Sequence, residues 1–292
     1  MEVKKVALTG PRGMLGRHIA ARLEQVGIGV APVGRDRWDL RQYRSIEELD
    51  SVMSGIEAVI HAGALTPRPG RVLDRGELCD VNIRACAALG AWAAARNVPL
   101  VYVGSAGIYV PQDNASSEDA PLAVPPYGGL YGTTKVLGEF VLAALLAEGL
   151  RLCVLRVTSI YGAGMHSEKL VAHMLASAGK GHAIVLTPPI EDRINFVHAA
   201  DVAEAALAAL RRGSTGSFNI AGPALVSMRE LADACIAAAG RGRVETTAAA
   251  DGRPASRRFD VSGRNAEAEL GYCPKIALSE GLSMLREDRY VR

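Results

Sequence analysis

The chain is poor in the features that would place it quickly. Cysteine is scarce: five thiols, Cys79, Cys86, Cys153, Cys235 and Cys273, form no Cys-x-x-Cys pair and no zinc spacing. That argues against a disulfide framework and leaves no expected metal site. Scattered, odd-numbered thiols predict reduced cysteines, mostly buried as small hydrophobes, in a cytosolic protein. Excess charge is also missing. The 33 basic and 31 acidic residues leave a net charge of +2, and the basic ones are dispersed in short clusters such as Arg211-Arg212 and Arg257-Arg258. No nucleic-acid partner is expected from that balance. The opening Lys4-Lys5 leads straight into a short strand-like run, with no signal-peptide core and no apolar run of membrane-spanning length. A cytoplasmic protein without a membrane partner is the expectation. No internal repeat is found. What remains is ordinary: 292 residues, 49% hydrophobic and 22% charged, enough for one large domain or two intimate ones.

Read along its length, the chain alternates. Residues 6–9, 28–33, 58–62, 100–103 and 152–156 are short apolar runs that predict buried strands. Residues 18–25, 45–53, 80–96 and 131–148 predict helices, the second opened by Ser45 with Glu48 three residues on, a capping-box pattern. Alternation of this kind predicts an α/β fold, a Rossmann-type doubly wound parallel sheet covered on both faces. After Tyr161-Gly162 the rhythm loosens, with Pro188, Pro189 and Pro223 breaking it into shorter pieces. A helix with its leading loop is expected over 196–210, a strand over 217–221 and a helix over 228–239. The predicted division is a dinucleotide domain at 1–162, to which 194–221 return, and a smaller substrate-binding part at 163–292. Residues 248–258 read as a surface loop.

Gly10-Pro11-Arg12-Gly13-Met14-Leu15-Gly16 joins the first strand to the first helix. Glycines there permit a tight turn and let backbone approach a phosphate, and the helix N-terminus offers free N–H groups to a pyrophosphate. A glycine-rich turn needs no ligand on its own; its place after the first strand of an alternating series favours one. At the end of the second strand stands Val33-Gly34-Arg35-Asp36-Arg37. The acid that would bind the adenosine ribose of NAD is absent where it is expected. Arg35, with Arg12 in the glycine turn, suits a 2′-phosphate, so NADP(H) is preferred over NAD. The alternatives are that both arginines are solvated surface charge and that Asp36 serves NAD.

Tyr131-Gly-Thr-Thr-Lys135 sets a phenol and an ammonium on one face of a predicted helix. A free tyrosine ionises near pH 10, and a neighbouring cation lowers that value. The pair is a plausible proton-transfer device for an alcohol or carbonyl. Alone, it is equally an amphipathic tyrosine beside a solvated lysine.

Together these segments resemble the extended short-chain dehydrogenase/reductases, which include nucleotide-sugar epimerases, dehydratases and 4-keto-sugar reductases. The resemblance spans nearly the whole chain. Gly10, Gly13 and Gly16 match the family's Gly-x-x-Gly-x-x-Gly, with Arg12, Met14 and Leu15 inside it. Asp39-Leu40 resembles an acidic-apolar pair that contacts adenine. Val59-Ile-His-Ala-Gly-Ala64 resembles a strand running along the cofactor, which implicates Ala62, Gly63 and Ala64; Asn82 matches an asparagine in the next helix. Val103-Gly-Ser-Ala-Gly-Ile-Tyr109 resembles the serine-bearing strand and assigns the catalytic hydroxyl to Ser105. Tyr131 and Lys135 match Tyr-x-x-x-Lys. Leu155-Arg-Val-Thr-Ser-Ile-Tyr-Gly162, with Val157 and Thr158 at the cofactor, and Phe196-Val-His-Ala-Ala-Asp201 match two later segments.

The resemblance implies hydride transfer between nicotinamide and a hydroxyl/keto carbon of a sugar or nucleotide-sugar-like substrate. Tyr131 would move the proton, Lys135 lower its pKa and hold the nicotinamide ribose, and Ser105 orient the reacting oxygen. Net ketone reduction of a non-nucleotide substrate is the alternative to epimerisation; a binding protein without catalysis is the third reading. Departures narrow the choice. The family's dehydratases carry Asp-Glu after the serine, where this chain has Ala106-Gly107. Ser159 stands where nucleotide-binding members often carry Asn, and Arg193 is shifted by one residue from their arginine. Substrate contacts are expected from Ser105, Ala106, Ser159, His166 and Arg193. His61 and His198 read as structural hydrogen-bonders. Wide alanine/leucine faces on the helices at 80–96 and 131–148 resemble the pair that forms a homodimer interface in the family.

Overall fold

The computed structural model describes residues 3–67, 70, 72–123, 128–248 and 258–287. The first half runs β1 (Lys5–Thr9), α1 (Met14–Gln25), β2 (Gly29–Val33), α2 (Ile46–Val52), β3 (Ala58–His61), α3 (Arg75–Cys79), α4 (Ala85–Ala95), β4 (Leu100–Ser105), α5 (Gly129–Ala144) and β5 (Leu152–Val157). The second runs β6 (Ser159–Tyr161), α6 (Leu170–Gly179), β7 (Ala183–Leu186), β8 (Arg193–His198), α7 (Ala199–Arg212), β9 (Gly216–Ile220), β10 (Leu225–Ser227), α8 (Met228–Ala239), β11 (Arg243–Thr246), β12 (Arg258–Phe259) and α9 (Leu278–Glu287).

Six strands pair in parallel in the order β2-β1-β3-β4-β5-β9. From β1 the chain goes to one side for β2 and returns to the other for β3. The strand order therefore reverses between β1 and β3, which opens a crevice at their carboxyl ends. Alternation along each strand divides the core. Val6, Leu8, Ile60, Val101 and Leu155 pack against α1 and α7 on one face. Ala7, Val59, Leu100, Tyr102 and Val154 pack against α2, α4 and α5 on the other. Each fully buried Leu, Ile or Val contributes about 1.5–3 kcal/mol, so this double layer dominates the stability. The capping box of α2 is present: Glu48 N donates to Ser45 Oγ and Ser45 N to Glu48 Oε2.

A second sheet is built on β8, which pairs in parallel with β6 and β12 and antiparallel with β10. β7 and β11 form a separate parallel pair. Tyr161, Met174, Leu175, Phe196, Leu231, Cys235 and Leu282 fill the core beneath them. α7 packs on α1, and β9 edges the central sheet.

Three expectations change. Residues 196–198, expected as a loop, are the end of β8, because Phe196, Val197 and His198 pair with Ser159, Ile160 and Tyr161. The helix expected from residue 80 is the continuation of α3, through a π-helical turn at Asp80–Arg84. Gly129–Glu148, α5 with a closing 3-10 turn, is long and apolar enough by length and composition to cross a membrane. Its Lys135 and Glu139 nonetheless lie buried against the sheet. The loop expected at 248–258 falls at 249–257 outside the described residues.

Candidate active site

The glycine turn is shaped by two demands. Gly10 has φ +66°, and a Cβ there would lie 2.7 Å from Gly63 Cα and 2.9 Å from Ala62 O. β1 and the segment after β3 can therefore touch only as backbones. A Cβ on Gly16 would overlap Gly10 O, far inside van der Waals contact, so Gly16 lets α1 start close under the turn. Gly13 differs: its Cβ would meet only Gly10 O, at 3.3 Å. It is the N-cap of α1 and supplies no side-chain cap. Met14 and Leu15 turn their side chains into the cores, which leaves the first N–H groups of α1 facing the crevice. A helix N-terminus with no capping side chain and a bare Gly13 fits a pyrophosphate. When bound, the dinucleotide supplies the hydride acceptor or donor.

The other residues expected at the cofactor are placed as follows. Leu40 leans on Gly63, its Cδ1 2.7 Å from where a Cβ would stand. Asp39 is held by Arg41 through both carboxylate oxygens, and that hydrogen bonding keeps its carboxyl below the usual range. Asn82 Oδ1 accepts from Leu65 N at 2.9 Å, and its Nδ2 donates to Leu65 O at 3.1 Å and Thr134 Oγ1 at 3.0 Å. Its amide thereby holds the loop after Ala62, Gly63 and Ala64. At the end of β2, Arg12 pairs with Asp36 at 2.5 Å above Gly34, whereas Arg35 is exposed. Val157 is buried at the end of β5, and Thr158 Oγ1 donates to Asn195 Oδ1 at 3.0 Å.

The residues expected to transfer the proton come from β4 and α5. Ser105 ends β4, and its Oγ accepts from Gly107 N at 3.2 Å, which folds Ala106 and Gly107 into a short turn. Lys135 is 5% exposed and donates from Nζ to Val103 O, at 2.9 Å, two residues before Ser105. Tyr131 lies one turn earlier on the same face of α5. The lysine was expected to lower the tyrosine pKa. Instead burial pushes Tyr131 up to about 12, and burial pushes Lys135 down to about 8 against the opposing pull of Cys86 and Glu139. The reason is geometric: the ammonium is engaged by the Val103 carbonyl and the Tyr102 ring.

Substrate-side expectations scatter more. Ser159 is exposed at the start of β6, and His166 is exposed 3.7 Å from Glu168. Arg193 donates to Glu230 at 3.2 Å and to Leu225 O at 3.4 Å, so it is engaged within its own part of the fold. His61, 2.7 Å from Thr9 Oγ1, and His198, which accepts from Ala200 N, are structural hydrogen-bonders as expected.

The sequence profile of the NAD dependent epimerase/dehydratase family matches residues 6–221. The chain belongs to that family. It is an enzyme fold of the extended short-chain dehydrogenase/reductase type. It is 28% identical to a dTDP-glucose 4,6-dehydratase of Streptomyces griseus, over 80% of this chain and 71% of that one. It is 26% identical to a dTDP-4-dehydrorhamnose reductase of Mycobacterium tuberculosis, over 73% and 68% of the two chains. Among solved structures, MoeE5 in complex with UDP-glucose and NAD superposes with a TM-score of 0.82 at 25% identity, over 97% of both chains. The UDP-glucose 4-epimerase of Thermus thermophilus, with NAD, gives 0.81 at 24% identity over 96% of this chain and 97% of that one.

Sequence reasoning within this family missed one group. Glu139 and Arg156 form a buried ion pair at 2.6 Å, and Arg156 also donates to Tyr109 OH at 2.8 Å. Glu139 follows Lys135 by the same four residues that separate Lys135 from Tyr131. That repeat of a polar residue on an inward helix face was the available signal.

Proposed function

We propose that the chain catalyses hydride transfer between a nicotinamide dinucleotide and a hydroxyl/keto carbon of a nucleotide-sugar-like substrate. Tyr131 moves the proton, Ser105 orients the oxygen, and Lys135 holds the nicotinamide ribose. The observation that carries this is the buried Lys135 ammonium on the Val103 carbonyl, two residues before Ser105 on β4 and one helical turn after Tyr131 on α5. An oxyanion forming as hydride moves meets two hydroxyl donors and a cation. The upward shift of Tyr131 favours its protonated form, so donation to a forming alkoxide, the reductive direction, is the readier one at neutral pH.

Dehydration is not part of the proposal, although relatives include dehydratases. Ala106 and Gly107 have no group that can take an α-proton or protonate a leaving hydroxyl. A nucleotide on the substrate is supported by the relatives; the engagement of Arg193 with Glu230 favours the alternative, a ketone without one. For the cofactor we infer NADP(H), from Arg35 and Arg12 at the β2 end; the Arg12–Asp36 pair favours NAD. We also infer a homodimer through the outer face of α5, a cytoplasmic location and a division of the chain near residue 162.

The test is Tyr131→Phe, assayed with UDP- and dTDP-sugars and their keto forms. Turnover should fall about 10²- to 10⁴-fold while dinucleotide affinity stays within about twofold. Unchanged turnover would remove Tyr131 from the mechanism. Net NAD(P)H consumption without an epimer would identify a reductase.

A further inference from the structure

Tyr102 belongs to no part of the mechanism above, yet it touches Lys135 twice. It is fully buried in β4, its side chain on the α4/α5 side of the sheet. Lys135 Nζ lies 4.2 Å from the centroid of its ring. Its hydroxyl donates to the backbone carbonyl of the same Lys135 at 3.2 Å. The next residue of the strand, Val103, supplies the carbonyl that takes the ammonium proton. One strand thus grips the lysine at both ends.

The groups facing the ammonium leave the ring in an unusual position. From α4 comes the Cys86 thiol, which burial pushes up to about 11, so it is neutral. From β3 comes His61, whose ring lies 5.8 Å from that of Tyr102 at 21° and which burial keeps neutral down to about 3. From α5 comes Glu139, whose carboxylate is drawn off to Arg156; Tyr131, one turn earlier on α5, is neutral. Among the described residues, Lys135 has no ion pair. A desolvated cation then depends on one carbonyl and one π face, and cation–π contacts are strongest when desolvated.

We propose that Tyr102 is a positioning residue for Lys135, its ring face holding the ammonium at the carboxyl end of β4. This rests on the role given to Lys135 above. The ring sets where the ammonium stands and how firmly its proton is kept, and through that what it offers to a ribose and to Tyr131.

The experiment replaces Tyr102 by phenylalanine and, through an unnatural-amino-acid codon, by pentafluorophenylalanine. The two rings are close in shape, but fluorination removes the negative face. The Lys135 pKa is read by NMR of ¹³C-labelled lysine; the chain has six lysines, and Lys135→Met identifies the signal. The phenyl protein should match the parent within about 0.3 unit, and the pentafluorophenyl protein should titrate about one unit lower. Equal values for the two rings would overturn the proposal. The readout needs no turnover. Tyr131→Phe retaining activity would sink the catalytic reading and leave this result standing.

Discussion

Arg12 and Arg35 reach the end of β2 by different routes, one across the glycine turn and one along the strand. Among the described residues Arg12 forms an ion pair there, with Asp36, and Arg35 forms none. Arg35 is the better probe of the ribose end for that reason. Arg35→Ala should weaken NADPH binding about tenfold and NADH binding by less than about twofold, as one lost charge-assisted contact implies. Equal losses, measured by fluorescence titration, would mean that Arg35 holds no 2′-phosphate. At this scale the sequence was legible where local backbone geometry needs a residue type at a fixed spacing, as with Gly10 and Gly16 in the first turn, or where a helix sets two side chains one turn apart, as with Tyr131 and Lys135. It was not legible where a property depends on distant neighbours. The direction of the Tyr131 shift is set by burial, and the surroundings of Lys135 come from strand residues more than thirty positions away.

α5 carries two opposed faces. Inward lie Thr134, Lys135, Glu139 and Leu142; outward lie Leu130, Leu137 and Phe140, each more than two-fifths exposed. A row of large apolar side chains on one helix marks an interaction surface. If that surface pairs two copies, Phe140→Glu should convert a dimer to a monomer in sedimentation equilibrium, with the unfolding midpoint of the protomer little changed. A monomeric parent would refute the dimer. The elements most visible in the sequence were those with a clean period, such as β1, β3 and α2 with its capping box. β8 was hidden because Phe196-Val-His runs directly into an alanine-rich helix. His198 caps that helix with a ring nitrogen, where the usual signal is Ser or Asp.

For the molecule as a whole, two buried imidazoles link stability to pH just below neutrality. Burial lowers His61 from 6.5 to about 3 and His198 from 6.5 to about 4. The unfolded chain protonates both near 6.5, so between about pH 6.5 and 4.5 it binds more protons than the native state. Stability is then full above 6.5 and falls as pH drops, by about 1.4 kcal/mol per pH unit for each histidine. Urea unfolding at pH 5 and pH 7 should differ by about 3–4 kcal/mol, before carboxylates such as Asp50 begin to contribute lower down. A pH-independent unfolding energy across that window would show that the histidines are charged in the native protein.

Asn82 has one more consequence at this scale. Its amide grips the Leu65 backbone on one side and Thr134 on the other, next to Lys135 in α5. It works as a tie rod between the loop after β3 and the helix that carries Tyr131 and Lys135. If the proposed dinucleotide lies along that loop, its contact reaches α5 through one amide, without crossing the sheet. On that reading, loading a cofactor and setting Lys135 in register would be one mechanical event.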